Sequence, residues 1–453
     1  MRYGFTDKGK TYPMHYNRLA DFREQLFASF LQAGDTLLNL VDALAAETPA
    51  HSLAELSLSP FFPRQWGSLY QGLQRARIDR ASLRKLFASV VSAPEPGTRL
   101  VLGIDASSIL RPCSQTARDR TYVHASNLPE GSRPVSPGWQ FSTLVVLPET
   151  PSCWTFVLDN LRVVSEKTQG ETAAEQLKAV LPLLSVRPLL LGDGYYGSVA
   201  FLGASAALPC DFLLRLAKNR VLYRPAPPRP QKPGRGQPRK DGAAFACHRP
   251  DTHGEPDARW EGSDALGQPL HVCVWKRLHW KQVRHVQVSV IRVVRPHAAE
   301  TERDPRTSWF VFEGDQLPPL GEIADLYRRR YGQEHGYRAD KQTLMWDTPR
   351  LRTPDGFQTW TDVVAATRNL LFLARPLATE ARQPWENKRR ELSLSQVRRA
   401  MGRILAQLPP LTRRVKPRGK SPGRAEGAKI GRATRYKVVY KAKTKTETKI
   451  SFV

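Results

Sequence analysis

Four residues with side chains suited to binding metal and phosphate fall in one short stretch. Gly321 to Lys341 (GEIADLYRRRYGQEHGYRADK) holds Tyr327, Arg330, Glu334 and Lys341. Good helix formers and the absence of an internal proline predict a single helix there. At about 100° per residue, Arg330, Glu334 and Lys341 lie about 300°, 340° and 320° round from Tyr327, on one face that Ile323 shares. The apolar neighbour argues that this face points inward, where charges are costly unless paired or bound to ions. A plainer reading is a solvent-facing helix with an Arg330–Glu334 salt bridge at i,i+4. Two further acids stand out upstream. Arg99 to Asp105 (RLVLGID) and Pro188 to Asp193 (PLLLGD) are apolar runs of buried-strand type, each ending in an aspartate. Loop capping is the main structural use of such an acid. The chemical use is ion binding: hard divalent cations such as Mg²⁺ take oxygen ligands, and two of them ~3.5–4 Å apart stabilise both oxygens of an in-line displacement.

The elements that would position these residues follow from pattern. Residues 1 to 97 read as helical. Arg18 to Glu47 has apolar residues at helical spacing, and Trp66 to Val91 carries Arg75, Arg77, Arg80, Arg84 and Lys85, cations for phosphate or for a solvated face. After Pro94 to Gly97 come strands over Arg99–Asp105, Trp139–Leu147 and Cys153–Val163. A helix (Thr172–Leu184), the Pro188–Asp193 strand, a helix (Val199–Leu208) and a strand (Asp211–Leu216) follow. Arg224 to Lys240 is a Pro-, Gly- and Arg-rich loop. Alternating segments at Leu270–Trp275, His285–Val294 and Ser308–Phe312 predict a β-rich insertion. Trp275, Trp280 and Trp309 lie in or near it, either as core aromatics or as platforms for an unpaired base. Asp362 to Leu377 predicts an apolar helix closing the core, and Leu392 to Leu408 another with Arg398, Arg399 and Arg403 together.

Composition narrows the partner. The 453 residues include 69 Lys and Arg against 42 Asp and Glu, a net charge of +27, which favours a polyanion such as nucleic acid. Arg413 to Val453 alone holds 8 Lys, 6 Arg and two Glu, a basic tail with a segment, Tyr436 to Lys445, that would form a strand only when docked. Five scattered cysteines with no Cys-x-x-Cys pair argue against a disulfide framework or a zinc ribbon, and Cys247-His248 with His253 reads as loop rather than metal site. No signal peptide opens the sequence and no apolar run approaches ~18 residues, so a membrane protein is not expected.

The spacing Tyr327-x2-Arg330-x3-Glu334-x6-Lys341 resembles the Y-R-E-K signature of bacterial insertion-sequence transposases with a DDE core. The surroundings of Asp105 (Ile104 to Ser107) and Asp193 (Gly192 to Tyr195) resemble that family's first and second acid motifs. The resemblance covers about residues 98 to 376. It implies an α/β fold: an RNase H-like mixed sheet flanked by helices, with a β-rich insertion before the last catalytic helix; outside that span only charge and periodicity speak, and they add a helical N-terminal region. The expected divisions are a DNA-binding region (1–97), the core's first part (98–220), the insertion (221–318), the catalytic-glutamate helix (319–376) and a helical, basic C-terminal segment (377–453). The resemblance also implies that Asp105, Asp193 and Glu334 are the catalytic and metal-binding triad, with two Mg²⁺ or Mn²⁺ ions, and that Tyr327, Arg330 and Lys341 hold DNA. It further implies a homodimer on transposon ends and target DNA, in the cytoplasm at the bacterial nucleoid. Two rival readings stand beside transposition: a DNA-binding protein that has lost catalysis, and an RNase H-like nuclease without strand transfer.

Overall fold

The computed structural model describes residues 8–95, 97–125, 134–228, 239–298, 306–415, 423, 425–429 and 431–440, with the backbone alone for residues 8–13 and 379–381. Most of the basic loop expected over Arg224 to Lys240, and much of the tail beyond Val415, lie outside the described residues.

The N-terminal region is helical but more broken than its periodicity predicts. Helix α1 (Lys8–Ser29) ends in β1 (Phe30–Gln32), and α2 (Gly34–Ala46) starts again after Ala33, whose φ of 61° is left-handed. The short α3 (Leu53–Leu56) and α4 (Trp66–Arg75) lead to β2 (Arg77–Ile78), which pairs with β1, and to α5 (Arg80–Val90). Asp79 restarts the chain as α5 because its carboxylate accepts from the Ala81 and Ser82 N–H groups, at 3.0 and 3.2 Å. Two cations of this stretch face inward rather than towards solvent or phosphate. Arg80 pairs with Asp362 at 2.5 Å and Arg84 with Asp159 at 3.1 Å.

The centre is a mixed sheet flanked by helices, an RNase H-like fold. Its strands are β3 (Val101–Leu110), β4 (Thr121–His124), β5 (Val135–Val146), β6 (Phe156–Val163), β7 (Leu189–Gly192) and β8 (Asp211–Leu216), with α6 (Gln169–Val180) and α7 (Val199–Ser205) between the later ones. Strands β3, β7 and β8 run parallel, while β5 lies antiparallel to β3 and is bordered by β4 and β6. Crossovers through helices are what parallel neighbours require. A capping box of Thr168 and Glu171 starts α6.

The insertion continues this sheet. It comprises β9 (Val221–Tyr223), β10 (Ala244–Ala246), β11 (Ala258–Ser263), β12 (Pro269–Trp280), β13 (Val283–Val294) and β14 (Thr307–Glu313). Strand β14 pairs with β8, from Trp309↔Leu216 to Glu313↔Phe212, so the described residues form one twelve-stranded sheet. Trp275, Trp280 and Trp309 are 2, 4 and 6% exposed, so all three are core and not platforms for a base. His253 stacks on Phe245 and its Nε2 lies 2.9 Å from the Ala246 carbonyl, while burial pushes the Cys247 thiol up to about 12. Both lie in turns and are buried.

After α8 (Ile323–Arg328) and α9 (Tyr331–Gln342) come α10 (Pro354–Ala374) and α11 (Leu394–Leu405). Helix α10 is buried almost all round. Its amides cover the β6 edge. Asn369 bonds the Val157 N–H and C=O at 2.9 and 2.8 Å, and Gln358 takes the Arg162 N–H at 2.8 Å. On α11 the expected arginine group divides: Arg398 is buried and donates to the Thr343 and Glu47 carbonyls, and Arg399 pairs with Glu386. Tail residues Tyr436 and Val439 donate to the Gln115 and Arg120 carbonyls at 2.8 and 2.7 Å, and a single bridge joins Thr121 to Val439.

Candidate active site

Strand register brings the two aspartates together. The parallel pairing of β3 with β7 runs from Val101↔Leu189 to Ile104↔Gly192, so Asp105 and Asp193 are the next residues on neighbouring strands. Asp193 follows the end of β7. Asp105, however, lies in the middle of β3 and not at its end, because the second half of that strand goes on pairing with β5. One oxygen of each is tied to backbone: Asp105 Oδ1 accepts from Ala106 N–H at 2.8 Å, and Asp193 Oδ1 from Tyr195 N–H at 2.9 Å.

Glu334 arrives on α9. The single helix expected over Gly321–Lys341 is two helices and a leading turn. Arg329 and Arg330 sit between them in tight i→i−3 hydrogen bonds. Arg329 fixes the break by donating to the Pro148 and Leu147 carbonyls at 2.8 and 3.0 Å. The inward face of α9 is therefore Gln333, Gly336, Tyr337 and Asp340, not the Tyr327–Arg330–Glu334–Lys341 stripe. Glu334 and Lys341 lie about 80–100° off it, and the Glu334 side chain is 48% exposed. Two residues that the sequence reading missed dock the helix. Gln333 donates to the Thr143 carbonyl at 2.8 Å, and the Tyr337 hydroxyl to the Asp105 carbonyl at 2.9 Å. Gly103 makes room: a Cβ there would lie 2.7 Å from the Gln333 carboxamide oxygen. Their signal in the sequence is an i,i+3/4,i+7 set of its own, at 333, 336, 337 and 340.

Arg330 joins the acids. Its guanidinium lies 2.8 Å from Glu334 Oε1 and 3.9 Å from Asp105 Oδ2. Burial pushes the Asp105 carboxyl up to about 7. Asp193 and, less, Glu334 add to the rise, against Arg330 and the Ala106 N–H. Burial works against the Arg330 charge, but Tyr327, Asp105 and Glu334 more than offset it and shift its pKa upward. Tyr327 is buried, edge-on to Phe310, with Arg330 stacked 5.8 Å from its ring. With Arg215, Arg328 and Tyr331 it lines a small cavity beside the acids. Lys341 turns to β3, donating to the Ser108 carbonyl at 3.0 Å, and burial lowers its pKa against Asp347 and Asp340. Among the described residues no three His, Cys, Asp or Glu side chains are grouped closely enough to hold an ion as they stand.

The family model described as DDE superfamily endonuclease matches residues 25–285, more than half of the chain. The chain belongs to this family. No curated protein matches it. The matched span of the DDE endonuclease contains Asp105 and Asp193, and Glu334 lies beyond it. Enzymes of this superfamily act on DNA and generally use divalent metals. The donor set here suits such ions. Asp105, Asp193 and Glu334 would offer only oxygen donors, and Asp105 is raised to about 7 by its burial and by carboxylate neighbours. No helix among the described residues is long and apolar enough to cross a membrane.

Proposed function

We propose that this DDE endonuclease is a transposase of the Y-R-E-K type, which cuts DNA at the ends of an insertion element and joins those ends to target DNA. The observation that supports the reading is the juxtaposition of Asp105 and Asp193 on adjacent strands, with Arg330 standing between Asp105 and Glu334. Asp105, Asp193 and Glu334 would hold two Mg²⁺ or Mn²⁺ ions, which supply charge stabilisation for in-line displacement at phosphorus. The rigid strands fix the two aspartates, and Gln333 and Tyr337 fix the helix that presents Glu334. Arg330 grips a backbone phosphate with its planar fork. Lys341 spends one N–H on Ser108 and keeps others for a second phosphate. Tyr327, stacked on Arg330, sets the guanidinium in place. Water attacks the phosphodiester and the P–O3′ bond breaks, leaving a 5′-phosphate and a free 3′-hydroxyl; that hydroxyl attacks a phosphodiester of the target, whose own P–O3′ bond breaks to release a target 3′-hydroxyl. A homodimer pairing two ends, working at the bacterial chromosome, completes the proposal.

The test is incubation of DNA carrying the gene's flanking sequences with Mg²⁺ or Mn²⁺ and either the wild-type protein or Glu334→Ala. Cutting and joined products from the wild type alone are expected. Cutting without joined products, at sites unrelated to inverted repeats, would leave a nuclease. Cutting by Glu334→Ala as well would remove Glu334 from the site.

A further inference from the structure

A second basic surface lies along β3 from the acids. Arg111, just past the end of β3, donates to the Asp347 and Pro349 carbonyls at 3.1 and 2.8 Å. This pins the extended segment that follows. Arg350 and Arg352 are exposed on either side of buried Leu351, and both line the same cavity. Neither has a carboxylate partner among the described residues. Facing them is α4, with Trp66 66% exposed and Tyr70 38% exposed, their rings edge-to-face at 6.1 Å. Trp66, Tyr70, Gln74, Arg350, Leu351 and Arg352 line one cavity of about 510 Å³. Arg350 and Arg352 also line an adjoining cleft with Arg435 of the docked tail. A large exposed indole on a stable helix, opposite uncommitted guanidinium groups, has no role in the core.

We propose that this cavity takes an unpaired nucleotide of the DNA substrate, its base stacked on Trp66 and Tyr70 and its flanking phosphates on Arg350 and Arg352. The proposal rests on the reading above that the chain acts on DNA. Charge complementarity selects a polyanion, and the paired rings select one with accessible base faces, which a closed duplex does not offer. Position along the strand supports it. From Asp105 to Arg111 is about 20 Å of β3 at roughly 3.3 Å per residue, or about six nucleotide steps of duplex at 3.4 Å each. DNA cut at Asp105 that ran along β3 would reach the cavity while its scissile phosphate stayed at the acids.

The experiment compares two probes by binding titration: a mixed-sequence duplex, and the same duplex with a short run of unpaired thymines. Trp66→Ala and Tyr70→Ala should weaken binding of the bubbled duplex by roughly fivefold to a hundredfold, and that of the paired duplex by no more than about twofold. Trp66→Phe should keep most of the bubble preference. Arg350→Ala and Arg352→Ala should weaken both probes and lower the salt dependence by about one unit each. Trp66 is exposed, so unchanged melting is expected and separates lost stacking from lost fold. For Trp66→Ala and Tyr70→Ala, equal loss on both probes, or no loss on either, overturns the proposal. Wild-type cutting is scored separately. If the protein cuts DNA while the cavity variants bind as wild type does, the cavity proposal falls and the transposase reading stands. If the wild type binds neither probe, both fall.

Discussion

Two aspartates in this chain, the buried Asp340 and the partly buried Asp105, each meet an arginine, and the two settings differ in stoichiometry. Asp340 pairs with Arg368 at 2.8 Å, both almost wholly buried, and Arg368 also donates to the Cys153 carbonyl and to Thr155. Burial raises the Asp340 pKa and Arg368 pulls it back. At the candidate active site one guanidinium serves Asp105 and Glu334 at once, with Asp193 alongside. Only the second has three carboxylates for a single cation. A one-to-one pair is a structural joint. A surplus of crowded negative charge is unfavourable for the fold by itself and suits the binding of metal ions.

The largest effects should come from neutralising each setting. Asp105→Asn, Asp193→Asn and Glu334→Gln should each remove metal-dependent cutting and leave the fold and DNA binding largely intact. Arg368→Ala strands a buried carboxylate and should cost about 3–5 kcal/mol of stability, read as a lower denaturant midpoint. If Asp105→Asn destabilises the protein as much as Arg368→Ala does, the contrast between the two settings is wrong.

A pH series sharpens it. The folded-state pKa of Asp105, about 7, is above its ordinary 3.8, so the folded protein holds a proton that the unfolded chain has released. Stability from this group is present below about pH 4 and is lost as pH rises through about 7, by up to about 4 kcal/mol at 1.36 kcal/mol per unit. Metal-free Asp105→Asn should therefore be more stable than wild type at pH 8 and no more stable at pH 4. Mg²⁺ should narrow the gap at pH 8 by stabilising the wild type alone. Denaturation midpoints of both proteins at the two pH values are the measurement. A difference that does not change with pH would mean that Asp105 is not crowded by its neighbours.

What could be read from the sequence was local. The apolar runs before Asp105 and Asp193 and the alternation in β12 to β14 need no knowledge of a partner strand. The continuation of β3 to Leu110 depends on β5, and the break at Arg329 depends on the Leu147 and Pro148 carbonyls, so neither shows in helix or strand propensity. Likewise Arg80, Arg84 and Arg398 look like a basic surface until their distant partners Asp362, Asp159 and the Thr343 carbonyl are placed. Glu334 stands out in the sequence by its spacing from Tyr327 and Arg330. The residues that hold its helix, Gln333 and Tyr337, belong to a second face that the charged pattern hid.

The smallest expected effect concerns the cations of the signature, and it asks whether Arg330 belongs to the acids or to DNA. Its guanidinium contacts Glu334 and Asp105, and the Lys341 ammonium donates to the Ser108 carbonyl. Those contacts alone would make both residues internal struts. Each retains N–H donors beyond the ones so used, and both stand near the acids at which the proposed mechanism would hold the phosphodiester. Arg330→Ala and Lys341→Ala should then each reduce DNA affinity and lower the slope of log affinity against log salt by about one unit. Lys341→Ala should have the weaker effect on affinity, since part of its donor capacity stays with β3. A strut predicts otherwise: Arg330→Ala would change the concentration of Mg²⁺ needed for cutting and leave the salt slope alone. Measuring slope and metal requirement on the same two variants separates the outcomes, because phosphate contact moves the first and carboxylate support moves the second.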